Sequence, residues 1–260
     1  MTTKMSSVLE VIKARHQPKA AVVFLHGSGD TGRGAKSWVE FLLQDNAALP
    51  YANIYFPTAP IRPYSAAGGE MRNVWFDRSV ISLEASEDKA TLDSITDQVV
   101  ELIKQEVAKD VFPLGKHFSL KASLSNFCTP FIHHVVSSST FVNVFFSGGF
   151  SMGGALAMHL TYTQLPQVAG CFSLSGFLNK NSSVYKVLEE NKGSRFPPLL
   201  SFHGDRDELV PLKWGEDTVQ KLKSFNIDVN FNVLKNTLHE MKTRELEEVY
   251  SWINKRTPSS

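Results

Sequence analysis

The chain has 260 residues, enough for one hydrophobic core to stand without disulfide or metal staples. Its 27 basic and 26 acidic residues leave a formal charge of +1, which excludes the one-signed field expected of a nucleic-acid binder or a charge-driven membrane binder. Two cysteines, Cys128 and Cys171, are too few for a secreted disulfide framework or a four-thiolate zinc site.

The opening residues, MTTKMSSVLEVIKARHQ, lack the apolar core of a signal peptide, so a cytosolic protein with reduced cysteines is expected. Ala20–Leu25 (AAVVFL) reads as a buried strand ended by glycines, and Ile54–Phe56, bounded by prolines, as a weaker one. Leu92–Val107 carries apolar residues at three- and four-residue spacing, the mark of an amphipathic helix. Phe141–Phe146 is a strand candidate, and Ser151–Thr163, rich in Ala, Leu and Met, a helix. Val168–Leu174 and Pro198–His203 follow as buried strands, Thr218–Phe225 as a helix, Val229–Leu234 as a strand and Thr243–Asn254 as the last helix. Strand alternating with helix predicts an α/β fold, a mostly parallel sheet covered on both faces, in a single domain spanning 1–260.

Charged residues make up 20% of the chain, yet none lies between Lys121 and Lys180. A membrane span needs about 18 uninterrupted apolar residues. Asn126, Pro130, His133–His134, Ser137–Thr140, Asn143 and Gly148–Gly149 break every such run.

Within that interval, Gly149-Phe150-Ser151-Met152-Gly153 fits the G-x-S-x-G turn that lifts a serine hydroxyl above a sheet edge between strand and helix. The pentapeptide alone arises by chance in about one chain in ten of this length, so its setting decides. An apolar run precedes it and GALAMHL follows. A serine needs a base, and the base needs an orienting acid. In this type of sheet they come later in the chain, in the order acid then histidine, each beyond a strand's carboxyl end. Asp205 and Asp207 follow Pro198–His203, and His239 follows Val229–Leu234. The oxyanion of acyl transfer needs backbone N–H donors. The residue after the nucleophile, Met152, and the loop after an early strand, His26-Gly27-Ser28-Gly29, supply the amides of Met152 and Ser28.

The same loop supports a rival reading, since Gly27-Ser28-Gly29-Asp30-Thr31-Gly32 is a literal dinucleotide fingerprint after a strand. That reading wants a ribose-binding acid about 20 residues on, and Tyr51–Ala59 contains none. Gly32 and Gly34 also argue against a helix starting directly after the loop.

With these residues in place, the chain resembles the acyl-protein thioesterase and lysophospholipase group of α/β-hydrolases. The resemblance rests on FLHGSGDTGRG (Phe24–Gly34), FPTAPIRPY (Phe56–Tyr64), NVWFDR (Asn73–Arg78), GGFSMGGALAMHL (Gly148–Leu160), FLNK (Phe177–Lys180), HGDRDELVP (His203–Pro211) and LHE (Leu238–Glu240). It implies hydrolysis of acyl thioesters and esters, including S-palmitoyl groups on proteins, with no metal or cofactor. By position it implies Ser151 as nucleophile, Asp207 as acid through the H-G-x-x-D spacing, His239 as base, and Ser28 and Met152 as oxyanion amides. Trp75 and Phe76 match residues lining the acyl site. Ser28 and Met152 stand where the thioesterases usually have Leu and Gln, so short esters are an alternative substrate class. Expected partners are S-acylated proteins or small acyl esters, with no nucleic acid and at most peripheral membrane contact.

One segment departs from the resemblance. At about 111–147 the chain exceeds the usual link between long helix and serine turn, and PLGKHFSLKASLSNFCTPFIHHVVSSST shows neither helical nor strand period. It reads as an atypical insertion, either genuine or translated non-coding sequence. Because Phe141–Phe146 must supply the strand that aims Ser151, the insertion also raises a hydrolase-fold binding protein as a rival to an active enzyme.

Overall fold

The computed structural model describes residues 4–5, 9–107 and 144–258. Cys128, Phe141–Asn143 and nearly all of the insertion predicted at 111–147 lie outside the described residues. Strands β1 (Leu9–Ile12), β2 (Ala20–Leu25), β3 (Ala52–Pro57), β6 (Val144–Phe150), β7 (Gly170–Leu174), β8 (Leu199–Gly204) and β9 (Val229–Leu234) form one sheet in the order β1-β3-β2-β6-β7-β8-β9. β1 runs antiparallel to β3, and every other neighbouring pair is parallel. A separate antiparallel hairpin joins β4 (Ile61–Tyr64) to β5 (Glu70–Asn73).

The expected α/β fold follows from strands whose two faces are both apolar. In β2, Val23 and Leu25 enter one core layer while Val22 and Phe24 enter the other. The helices are α1 (Gly32–Leu43), α2 (Lys89–Leu102), α3 (Met152–His159), α4 (Ser183–Glu190), α5 (Leu212–Lys223) and α6 (Thr243–Arg256). Leu92, Ile95 and Val99 of α2, Leu156 of α3, Val184 and Leu188 of α4, and Val219 and Leu222 of α5 fill the first layer. Ala35, Val39 and Leu43 of α1 and Leu246, Val249 and Ile253 of α6 fill the second. All eight residues of α3 are buried, and β6 and β7 are closed on both faces, so charge is excluded from this part of the chain.

Several expected bounds shift. Among the described residues the central strand runs Val144–Phe150, past the expected end at Phe146, and α5 begins six residues before the expected Thr218, directly after Pro211. The long helices predicted to Val107 and Thr163 both loosen into a π-helical turn, Ile103–Val107 after α2 and Leu160–Gln164 after α3. The expectation that no helix follows the glycine loop is wrong. Thr31 caps α1, its Oγ1 accepting the Gly34 amide at 3.0 Å, and Thr58 Oγ1 accepts the Gly32 amide at 2.9 Å.

α6 carries a buried acid that ties stability to pH. Glu245 is 0% exposed, its Oε1 accepts the Lys242 amide at 2.9 Å, and its Oε2 has no hydrogen-bond partner among the described residues. Burial pushes its carboxyl up from 4.5 to about 7. A native value above the unfolded one means that the unfolded chain releases its proton first as pH rises. The stability this group contributes is therefore present below 4.5 and lost as pH rises to about 7. Glu245→Gln is expected to gain on the wild type across that window by up to about 3 kcal/mol. Urea denaturation of both proteins at about pH 5 and about pH 8 checks this. Buried His26 and His203 bias the protein oppositely, but they cancel in the comparison. An equal stability difference at both pH values would refute the assignment.

Candidate active site

β6 lies between β2 and β7, and Ser151 follows it with φ 55° and ψ −120°. This left-handed backbone costs a residue with a Cβ about 1–3 kcal/mol and persists because its surroundings hold it. The Ser151 amide donates to Leu174 O at 2.8 Å on the neighbouring strand, and its carbonyl accepts from Ala155 at 3.1 Å in α3. The chain thereby turns from strand to helix with the Ser151 side chain at the carboxyl edge of the sheet.

Three side chains from three loops meet there. His239, between β9 and α6, places Nε2 2.9 Å from Ser151 Oγ and Nδ1 2.7 Å from Asp207 Oδ2. An ionised carboxylate only accepts, so Nδ1 carries the proton and Nε2 is left to accept from the serine hydroxyl. Asp207 Oδ1 accepts the amides of Leu209 at 3.0 Å and Val210 at 2.8 Å. Burial alone raises the Asp207 carboxyl, but the hydrogen bonds from His239 and Val210 outweigh it and hold it below its usual range. Asp205, which the sequence left open as the alternative acid, instead lies 3.6 Å from Lys235. The Phe150 ring packs 4.8 Å from His239, centroid to centroid, and braces it.

The loop after β2 lies against the serine, since a Cβ on Gly27 would sit 3.6 Å from that of Ser151. Neither the Ser28 amide nor the Met152 amide is hydrogen-bonded among the described residues, and Met152 opens α3, where N–H groups have no helical partner. The neighbouring Gly29 amide is occupied, donating to Asn73 O at 2.8 Å. His26 sets the loop's path and was not singled out from sequence. Its Nδ1 lies 2.7 Å from Gly27 O, and its Nε2 accepts from the Ala59 amide at 3.0 Å. This arrangement fixes one neutral tautomer, and burial lowers the imidazole's pKa in the same sense. Trp75 and Phe76 are only 0% and 3% exposed. The Trp75 indole donates to His26 O at 2.8 Å, and Phe76 packs beside the Arg78 guanidinium at 4.9 Å, so both rings are buried, Trp75 against the glycine loop.

The glycine loop thus serves the serine turn, and β3 offers no acid to hold a ribose. Among the described residues no group of three or more His, Cys, Asp or Glu is placed to hold a metal ion, and no helix is long and apolar enough to cross a membrane.

Sheet, strained serine and ordered Ser, Asp and His define a serine hydrolase of the α/β-hydrolase class. The chain belongs to the phospholipase/carboxylesterase family, whose pattern its residues 6–257 match. It is 38% identical over 248 residues to lysophospholipase-like protein 1 of Mus musculus, covering 95% of this chain and 91% of that one. It is 28% identical over 242 residues to acyl-protein thioesterase 1 homolog 1 of Dictyostelium discoideum, covering 92% and 91% respectively. The crystal structure of Zea mays acyl-protein thioesterase 2 shares the fold at a TM-score of 0.73, with 24% identity, 96% of this chain covered and 99% of that chain.

Proposed function

We propose that the protein hydrolyses acyl thioesters and esters, with S-acylated, notably S-palmitoylated, protein cysteines as its substrates. The observation that carries this is the unbroken hydrogen-bond chain from Asp207 through His239 to Ser151 Oγ. His239 Nε2 takes the hydroxyl proton as Ser151 Oγ attacks the acyl carbonyl. The oxyanion is held by the free amides of Ser28 and Met152, the latter strengthened by the positive end of α3. The tetrahedral intermediate collapses, the leaving thiolate or alkoxide takes the proton from His239, and water repeats the sequence to free the acid and restore Ser151. Trp75 and Phe76 shape the acyl side from beneath. Each step uses the chain's own groups and needs no metal or cofactor.

The names of the thioesterase relatives support the thioester assignment, and Asp207 as acid is supported by its hydrogen bond to His239. We place the protein in the cytosol, with at most peripheral membrane contact and no nucleic-acid partner. Short esters are the second reading, because Ser28 and Met152 stand where the thioesterases usually carry Leu and Gln. A fluorophosphonate probe is expected to label Ser151, located by peptide mass spectrometry, and the protein to release palmitate from an S-palmitoyl peptide. No labelling of folded protein would sink the hydrolytic reading in favour of a binding protein. Labelling with turnover of p-nitrophenyl butyrate but not of the peptide would favour the short-ester reading.

A further inference from the structure

We propose that His203 is a positioning residue for the acid of the triad, an inference that rests on the hydrolytic reading above. His203 stands at the carboxyl end of β8, side chain 0% exposed, four residues before Asp207. Its Nε2 lies 2.7 Å from Val210 O, and a carbonyl only accepts, so Nε2 carries a proton. The amide of that same Val210 donates to Asp207 Oδ1 at 2.8 Å. One residue therefore joins the imidazole to the carboxylate, its C=O held by His203 and its N–H held by Asp207. The other carboxylate oxygen, Oδ2, is thereby turned to His239 Nδ1 at 2.7 Å.

The opposite edge of the ring faces α5. His203 Nδ1 is buried without a hydrogen-bond partner among the described residues, and a Cβ on Gly215 of α5 would come within 2.4 Å of it. The missing side chain at position 215 makes room for the imidazole, and the helix backbone stops it from swinging away from Val210. The charged and titratable groups that act on the ring are Asp207, His239 and Glu216. Burial outweighs the pull of Asp207 and keeps His203 uncharged. Neutrality matters because Nε2 also lies 3.6 Å from Asp207 Oδ2. A cation there would compete with the imidazolium of His239 for the same carboxylate as the acyl-enzyme forms.

His203→Leu removes the donor, whereas His203→Gln offers an amide nitrogen near the place of Nε2. With p-nitrophenyl butyrate, H203L is expected to lose about 100-fold in kcat, the cost of a misplaced catalytic group, with KM held within about twofold. The acid limb of its pH–kcat/KM profile is expected to move to lower pH, because the imidazolium loses its aligned carboxylate. H203Q is expected to restore most of kcat and the wild-type limb. Folded H203L with wild-type kcat and limb overturns the proposal, as does an equal loss in both variants. Should H203L fail to fold, Gly215→Ala presses the ring from the helix side while favouring the helix itself. A drop in kcat at unchanged helix content is then expected, and full activity of G215A overturns the proposal. Wild-type protein that takes no fluorophosphonate at Ser151 would defeat the hydrolytic reading itself, whereas labelled wild type with an unimpaired H203L would defeat only the role of His203.

Discussion

Ser151→Ala is expected to lower kcat by about 10⁶-fold, while Asp207→Asn lowers it by about 10⁴-fold. In the proposed mechanism alanine removes the atom that attacks the acyl carbonyl, and what survives is the contribution of the oxyanion amides and of binding. Asparagine keeps the shape but presents an N–H group to one partner. Oδ1 accepts two backbone amides and Oδ2 accepts His239, so wherever the amide nitrogen sits it meets a donor. The imidazole then loses the tautomer that leaves Nε2 free to accept from Ser151. Initial rates on p-nitrophenyl butyrate with probe labelling check both values. Activity of the alanine variant within tenfold of wild type would remove Ser151 from the chemistry.

Stability separates the role of the hydroxyl from that of the turn. Serine and alanine both carry a Cβ at φ 55°, so Ser151→Ala is expected to melt close to wild type. Ser151→Gly relieves the left-handed strain at the cost of unfolded-state entropy, leaving a net gain of about 1 kcal/mol over the alanine variant. A protein more stable without its serine than with it has its backbone shaped for the reaction rather than for folding.

The sequence made the meeting of Ser151, Asp207 and His239 more legible than the scaffold, for physical reasons. Ala20–Leu25 was readable to the residue because all six of its positions are buried, so nothing but a covered strand fits. Ser151, Asp207 and His239 were readable because each stands in a turn beyond an apolar run. β1 was not, since its four residues LEVI are only partly buried, nor was β4, where IRPY carries a proline on an exposed hairpin. α1 was hidden by Gly32 and Gly34, which look like helix breakers. In the structure they serve close approach: a Cβ on Gly32 would lie 2.0 Å from the Phe56 carbonyl oxygen, and one on Gly34 as near to Asp30 Oδ1. His26 and His203 were not singled out as site residues. Their roles depend on Ala59 and Val210, partners that only the folded chain brings beside them.

The other large effect is expected from Gly153→Ala, which alters the seat of the serine without touching the triad. A methyl there would stand 2.0 Å from Leu25 O, 2.4 Å from Leu25 C and 2.6 Å from His26 O. All three are backbone atoms at the end of β2, a strand pinned between β3 and β6. Neither strand can yield cheaply, so α3 must move outward and carry Ser151 with it. Alanine's better helix propensity offers up to about 1 kcal/mol in return, against overpacking that costs about 3 kcal/mol or more when the obstacle is backbone. The clash wins, and the expected net loss is about 2 kcal/mol, with kcat down about 100-fold because a displacement near 1 Å spoils alignment with His239. Gly154→Ala is the control. Its methyl would meet Ser173 Oγ at 2.6 Å, a hydroxyl on a rotatable side chain, and Gly149 O at 3.0 Å, so a milder loss is expected. Urea midpoints and kcat for the pair decide the point. If Gly153→Ala matched or exceeded Gly154→Ala in both, close contact between α3 and β2 would not be what holds the nucleophile in line.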